Sequence, residues 1–165
     1  MAAGSTYSSI ATTTLSSAAQ SYTFSSIPST YTDLRLVVDG VVTGELVQAR
    51  FNGDSGSNYS CTNLYGTGSV AGSNRRANFT EARLGLENVN TTTQGTVSVD
   101  FMNYANTSVY KTYLSRANYA SQETNVRVGL WRSTSAINTI LVSLFNTSWA
   151  FSAGTTFTLY GIASA

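Results

Sequence analysis

Val126-Arg127-Val128-Gly129-Leu130 places an apolar side chain at every second position. A period of two marks a β-strand with two unlike faces, because successive side chains of an extended chain point to opposite sides. The same period recurs on either side of this run. Leu34, Leu36 and Val38 alternate with Arg35 and Val37 before Asp39-Gly40 closes the stretch; Val97, Val99 and Phe101 alternate with Ser98 and Asp100; Phe157, Leu159 and Gly161 alternate with Thr158 and Tyr160. Residues Ile137 to Phe145 are more continuously apolar, and their Ile, Thr, Val and Phe content predicts a strand buried on both faces. Only Arg76 to Glu87 has helical character, which Asn78, Thr80 and Gly85 weaken, so at most one short helix belongs there. Gly, Asn and Ser turns separate about eight to ten strand-like runs, and that spacing predicts an all-β, two-sheet antiparallel sandwich of jelly-roll-like form.

The chain has 165 residues, which suits one domain with a core large enough to need no metal or disulfide support. Its single proline, Pro28, sits in a Ser/Thr-rich turn between two strands. Compositional bias is strongest over Ser5 to Ser26, so residues 1–20 are expected to form an extended N-terminal arm that pairs with a neighbouring chain. Residues 21–165 are expected to form the sandwich.

Charged residues make up 10% of the chain and the formal net charge is +1, against roughly 25% charged residues in ordinary soluble domains. Ser, Thr, Asn and Gly must cover the surface, and a surface that repels little tolerates close contact with copies of itself. The basic residues are arginines except for Lys111. Arginine's planar, weakly hydrated guanidinium suits protein interfaces, which makes the adjacent pair Arg75-Arg76 the candidate interface cations. The other arginines are scattered, so no nucleic-acid footprint forms. The N-terminal stretch lacks the charged and apolar regions of a signal peptide, and no segment approaches the roughly 20 apolar residues of a membrane span. The expectation is a soluble chain made in the cytoplasm.

Little in the sequence points to catalysis. Histidine is absent, and with it the usual general base and the usual partner of a thiolate, so Cys61 reads as an incidental thiol. The neighbouring acids Asp33/Asp39 and Glu81/Glu87 flank strands or turns and read as solvated or arginine-paired. Ser108 and Lys111 have the spacing of a Ser/Lys pair, but serine is frequent here and the segment reads as a strand. No phosphate-cradling glycine motif occurs, and no cofactor is expected. Asn52, Asp54 and Asn58 alternate along a Gly-containing loop and form a weak Ca²⁺ candidate; Asp54 is its only carboxylate, so a hydrogen-bonded Asx turn is the better reading. Trp131, Trp149, Tyr65 and Tyr119 are the candidate contact or glycan-stacking residues, the two tryptophans reading also as core.

Several blocks together resemble a family of small virion-associated proteins of marine and cyanobacterial tailed phages. They are Phe24-Ser-Ser-Ile-Pro-Ser-Thr-Tyr-Thr-Asp-Leu34, Arg50-Phe-Asn-Gly-Asp-Ser-Gly-Ser-Asn-Tyr59, Met102-Asn-Tyr-Ala-Asn106, Tyr110-Lys-Thr-Tyr-Leu-Ser-Arg116, Gly129-Leu-Trp-Arg-Ser-Thr134 and Phe157-Thr-Leu-Tyr-Gly-Ile162. The resemblance implies a structural particle protein and no enzyme, and transfers no catalytic or ligand residue. Under it the chain is expected in the virion, as a homo-oligomer contacting major capsid or tail proteins. The first expectation is a capsid-decorating or cementing subunit, and the second a tail-fibre or receptor-binding module that contacts host glycans.

Overall fold

The structure, a computed structural model, describes residues 6–43, 46–85, 92–119 and 123–163. These form thirteen strands: β1 Tyr7–Thr14, β2 Ser21–Phe24, β3 Asp33–Thr43, β4 Val47–Phe51, β5 Tyr59–Gly66, β6 Ala71–Phe79, β7 Ala82–Gly85, β8 Thr92–Met102, β9 Lys111–Tyr119, β10 Glu123–Trp131, β11 Ile140–Leu144, β12 Ala150–Phe151 and β13 Thr156–Ile162. A nine-stranded sheet runs β1-β13-β3-β8-β9-β10-β5-β6, with β12 attached to the far end of β3, and a four-stranded sheet runs β2-β11-β4-β7. Every pairing is antiparallel. The expected two-sheet sandwich is present, with more strands than the periodicity suggested and with sheets of unequal size.

The core lies between the sheets. Leu34, Leu36 and Val38 of β3, Val97, Val99 and Phe101 of β8, and Phe157 and Leu159 of β13 face Phe24, Val47, Ala49, Phe51, Ile140 and Val142 of the small sheet, all buried. Aromatic rings tie the layers together. Phe51 on β4 meets Phe101 at 5.3 Å, Trp131 at 5.4 Å, Tyr59 at 5.7 Å and Tyr113 at 6.4 Å between ring centroids, mostly edge to face. Tyr59 and Trp131 stack at 6.2 Å. A second group joins Tyr22, Phe24, Phe151 and Phe157.

This cluster decides which way β10 faces. Gly129 lies directly beneath the Tyr113 ring: a Cβ there would sit 1.8 Å from a ring carbon. Trp131 and Gly129 therefore face inward together, and the pleat turns Arg127, Asn125 and Glu123 inward with them. Val126 and Val128 go to the other side, where Val128 is 57% exposed. Magnitudes explain the choice, since a buried indole or phenol ring is worth about 4–6 kcal/mol in removed apolar area against about 1.5–3 kcal/mol for a valine. β10 cannot satisfy both faces, and the rings prevail. On the neighbouring strand β9 the inward polar groups meet the backbone of β7: Ser115 Oγ donates to the Leu84 carbonyl, and Tyr113 OH donates to the Arg83 carbonyl at 3.2 Å; within β10, Asn125 Nδ2 donates to Glu123 Oε1 at 2.8 Å.

Two local readings gain detail and one is corrected. Residues 7–14 are extended, as expected, and form β1, the outer strand of the large sheet, paired along its length with β13 of the same chain. The segment with helical character is strand instead, in β6 and β7, up to Gly85; Asn78 at φ 62° and Gly85 at φ 149° adopt backbone conformations no α-helix contains. Residues 86–87 lie outside the described part. Lastly, β11 is buried on one face through Ile140, Val142 and Leu144, while Leu141 and Ser143 are only half-buried on the other.

Candidate functional site

The inverted orientation of β10 gives the large sheet an unusual outer surface. Strand register sets Arg75, Thr62, Val128, Leu114, Asp100, Arg35 and Tyr160 in one row across it. The next row holds Ser73, Leu64, Val126, Arg116, Ser98, Val37 and Thr158. On the β5-β10-β9 side these rows make an apolar stripe. Leu64 is 56% exposed and Val128 57%, with Val126, Leu130 and Leu114 half-buried around them. Arg75 and Arg116 flank the stripe, both exposed. A shallow hollow of about 280 Å³ opens beside it, between Ser98, Arg116, Asn118, Thr124 and Val126.

The charge at the other end of the face is acidic or neutralised. Arg35 Nε donates to Asp100 Oδ1 at 2.5 Å, and the guanidinium also lies 5.3 Å from the centre of the Tyr7 ring. Asp39 accepts a hydrogen bond from Thr96 Oγ1, and Asp33 accepts one from the Asn103 amide.

The residues singled out in the sequence are scattered. Asn52, Asp54 and Asn58 lie in the β4–β5 turn as parts of a hydrogen-bonded device. Asp54 accepts from the Gly56 amide at 2.8 Å, from Asn58 Nδ2 at 3.0 Å and from Trp131 Nε1 at 2.6 Å. Burial works to raise the Asp54 carboxyl, but the bonds from Trp131, Asn58 and Gly56 together hold it below its ordinary value. Asn52 turns the other way, donating to the Ala136 carbonyl and accepting from the Asn138 and Thr139 amides. The turn is thus an Asx-type brace that holds the Trp131 indole. Its carboxylate is already engaged by protein donors, and among the described residues no group of three or more His, Cys, Asp or Glu side chains converges.

Trp131 is buried and offers no ring to a ligand, and Trp149 is half-buried against the core. Tyr65 is half-buried, its ring crossing Gly72, where an added Cβ would meet the phenol oxygen at 2.6 Å. Tyr119 ends β9, and its side chain lies outside the described part. Of the arginine pair, only Arg75 borders the stripe; Arg76 follows it on the edge strand β6, exposed.

The remaining reactive groups are held in structural bonds. Lys111 is buried and donates to the Val109 and Thr134 carbonyls at 2.9 and 3.0 Å, with burial lowering its pKa. Glu81 is engaged by Arg50 and by Thr80 Oγ1, Cys61 is buried, and Glu87 lies outside the described residues. Burial pushes the Tyr59 phenol up to about 12, and the Tyr113 phenol still further up. Such groups stay protonated at neutral pH and serve as donors: Tyr59 OH donates to the Asp54 carbonyl at 3.0 Å.

The outward stripe was not visible as a site in the sequence. Its one signal is parity, because Trp131, Gly129 and Arg127 share a side, so an inward Trp131 sends Val126, Val128 and Leu130 outward.

No family model matches the chain, and no curated protein matches it.

Proposed function

We propose that this protein is a structural subunit of a tailed-phage particle, a capsid-decorating or cementing protein that packs through the outer face of its large sheet. The observation that carries the reading is the apolar stripe of Leu64, Val126, Val128, Leu114 and Leu130 turned outward from a charge-poor domain. Exposed contiguous apolar area on a soluble domain marks a contact surface. Arginines at its rim fit such a surface, because guanidinium groups lose less hydration on burial than ammonium groups.

The size of the face supports the reading. The eight strands of the main path, at about 4.8 Å spacing and about nine residues each, span roughly 34 by 30 Å. That leaves room for the ~800 Å² per partner of a stable protein contact. Major capsid proteins and further copies of the chain are the partners this reading implies.

The test is to add the purified protein to assembled shells that lack it. Symmetry-related density on the shell and a rise in its melting temperature are expected, and Leu64→Ser with Val128→Ser should abolish both while leaving the subunit folded. Shells that neither bind the wild-type chain nor gain heat resistance from it would remove the proposal.

A further inference from the structure

The outer face of the small sheet, on the opposite side of the sandwich from the stripe, carries a groove of about 260 Å³. Gln48 and Arg50 of β4 form its floor, with Glu81 beside them, and Gln20, Phe145 and Asn146 form its walls. Register explains the convergence: Gln48 pairs with Ser143 on one side and Arg83 on the other, and Arg50 pairs with Leu141, so all point away from the core.

Two features separate this groove from ordinary polar surface. Gln48 is only 7% exposed, and its Oε1 has no hydrogen-bond partner among the described residues; its Nε2 makes only long contacts, 3.4 Å to Ser143 Oγ and 3.5 Å to the Leu144 carbonyl. Arg50 Nε is likewise buried without a hydrogen-bond partner among the described residues. A buried acceptor left unmade is costly, and folded proteins keep few of them. Here an unmet acceptor and an unmet donor occupy positions 48 and 50 of one strand, under one groove. The second feature is Phe145. Its ring is 50% exposed in the groove wall and is fixed from one side by Arg83, whose guanidinium lies 4.9 Å from its centre and 4.1 Å from that of Phe79.

We infer that this groove binds a single neutral sugar ring. Arg50 is paired with Glu81, so the floor has no net charge to attract an anion. Amide, carboxylate and guanidinium groups supply donors and acceptors side by side, which suits hydroxyls that must each donate and accept. The Phe145 ring offers an apolar wall for the C–H face of a pyranose. Gln48 Oε1 and Arg50 Nε are themselves buried, so a bound hydroxyl reaches them on a change of rotamer of the Gln48 and Arg50 side chains that line the groove. The site stands apart from the packing face and does not depend on where the subunit sits.

The experiment uses the isolated, isotope-labelled chain. D-glucose, D-galactose, D-mannose and N-acetyl-D-glucosamine are titrated singly to about 50 mM, and the side-chain amide signals of Gln20, Gln48 and Asn146 are followed. A ligand of this size on one small groove is expected to bind with a roughly millimolar dissociation constant. At least one sugar should give saturable shifts at these amides, lost in Gln48→Ala and weakened at least threefold in Phe145→Ser, a substitution at an exposed position that leaves the core intact. No saturable shift with any of the four sugars overturns the inference. So does binding that survives both substitutions, or a response to inorganic phosphate in place of sugars. Because no shell is present, any of these failures leaves the packing proposal standing.

Discussion

The two halves of the large sheet obey the same pleat and reach opposite results. In β13, β3 and β8 the apolar set faces inward, and the outer side carries Arg35, Asp100, Asp39 and threonines. In β9, β10 and β5 the inner side carries Arg127, Asn125, Asn63 and Ser115, all buried, while Leu64 and Val128 stand in solvent. The sheet is continuous, so the difference cannot come from pairing. It comes from the aromatic cluster, which holds Tyr59, Tyr113 and Trp131 inward and commits every second neighbour to follow. Alternation fixes the period of a strand; the largest side chain that must be buried fixes its side.

That contrast can be broken at its source. Trp131→Ala removes the ring that orients β10 and is expected to cost about 3–5 kcal/mol in urea denaturation. A cost under about 1 kcal/mol would mean that the register is set elsewhere. Gly129→Ala forces a methyl into the Tyr113 ring and should cost about 2–3 kcal/mol. The double variant Gly129→Ala/Tyr113→Ala should fall well short of the sum of the two single losses, because the clash disappears with the ring.

Asp54→Asn keeps the shape of the brace beneath Trp131 but removes its charge, with an expected loss of about 1–2 kcal/mol at neutral pH. The sign with pH follows from the lowered pKa. The carboxylate's contribution is fully present above the ordinary carboxylate value and is lost as pH falls through the lower, folded value. Wild type should therefore lose more stability than Asp54→Asn on acidification, and parallel curves would show that the brace carries no charge-dependent stability.

The smallest effect on stability sharpens the contrast most. Leu64→Ser with Val128→Ser should change the unfolding free energy by about 0.5 kcal/mol or less. The same exchange at Val99 or Leu36, in the conventional half, should cost several times more, since those side chains are fully buried.

The sequence was a good guide wherever a strand's apolar set and its largest rings lie on the same side. The runs 34–38, 97–101 and 157–161 have the expected period and bury their apolar positions. It was a poor guide at 126–130, because Tyr113 is on another strand and its reach over Gly129 depends on a pairing that local pattern does not reveal. The Asx reading of the Asn52–Asn58 loop agrees with the bonds found there, but nothing local announced Trp131 Nε1 as the third donor to Asp54. Nor did anything announce the groove, since Gln20, Gln48, Glu81 and Asn146 come from four distant parts of the chain.

The pairing of β1 with β13 carries a consequence for synthesis. Thr12 Oγ1 donates to Thr158 Oγ1, 146 positions along the chain, so β1 leaves the ribosome well before β13 and waits for it before it can dock. During that wait its edge is open to wrong partners, and non-local pairing of this kind forms slowly. Its sequence, Tyr-Ser-Ser-Ile-Ala-Thr-Thr-Thr, has few large apolar groups to drive misassociation, and its register breaks at a bulge between Ser9 and Ala11. Hydroxyl-rich composition there keeps a nascent strand soluble without adding charge that the finished sheet would have to accommodate.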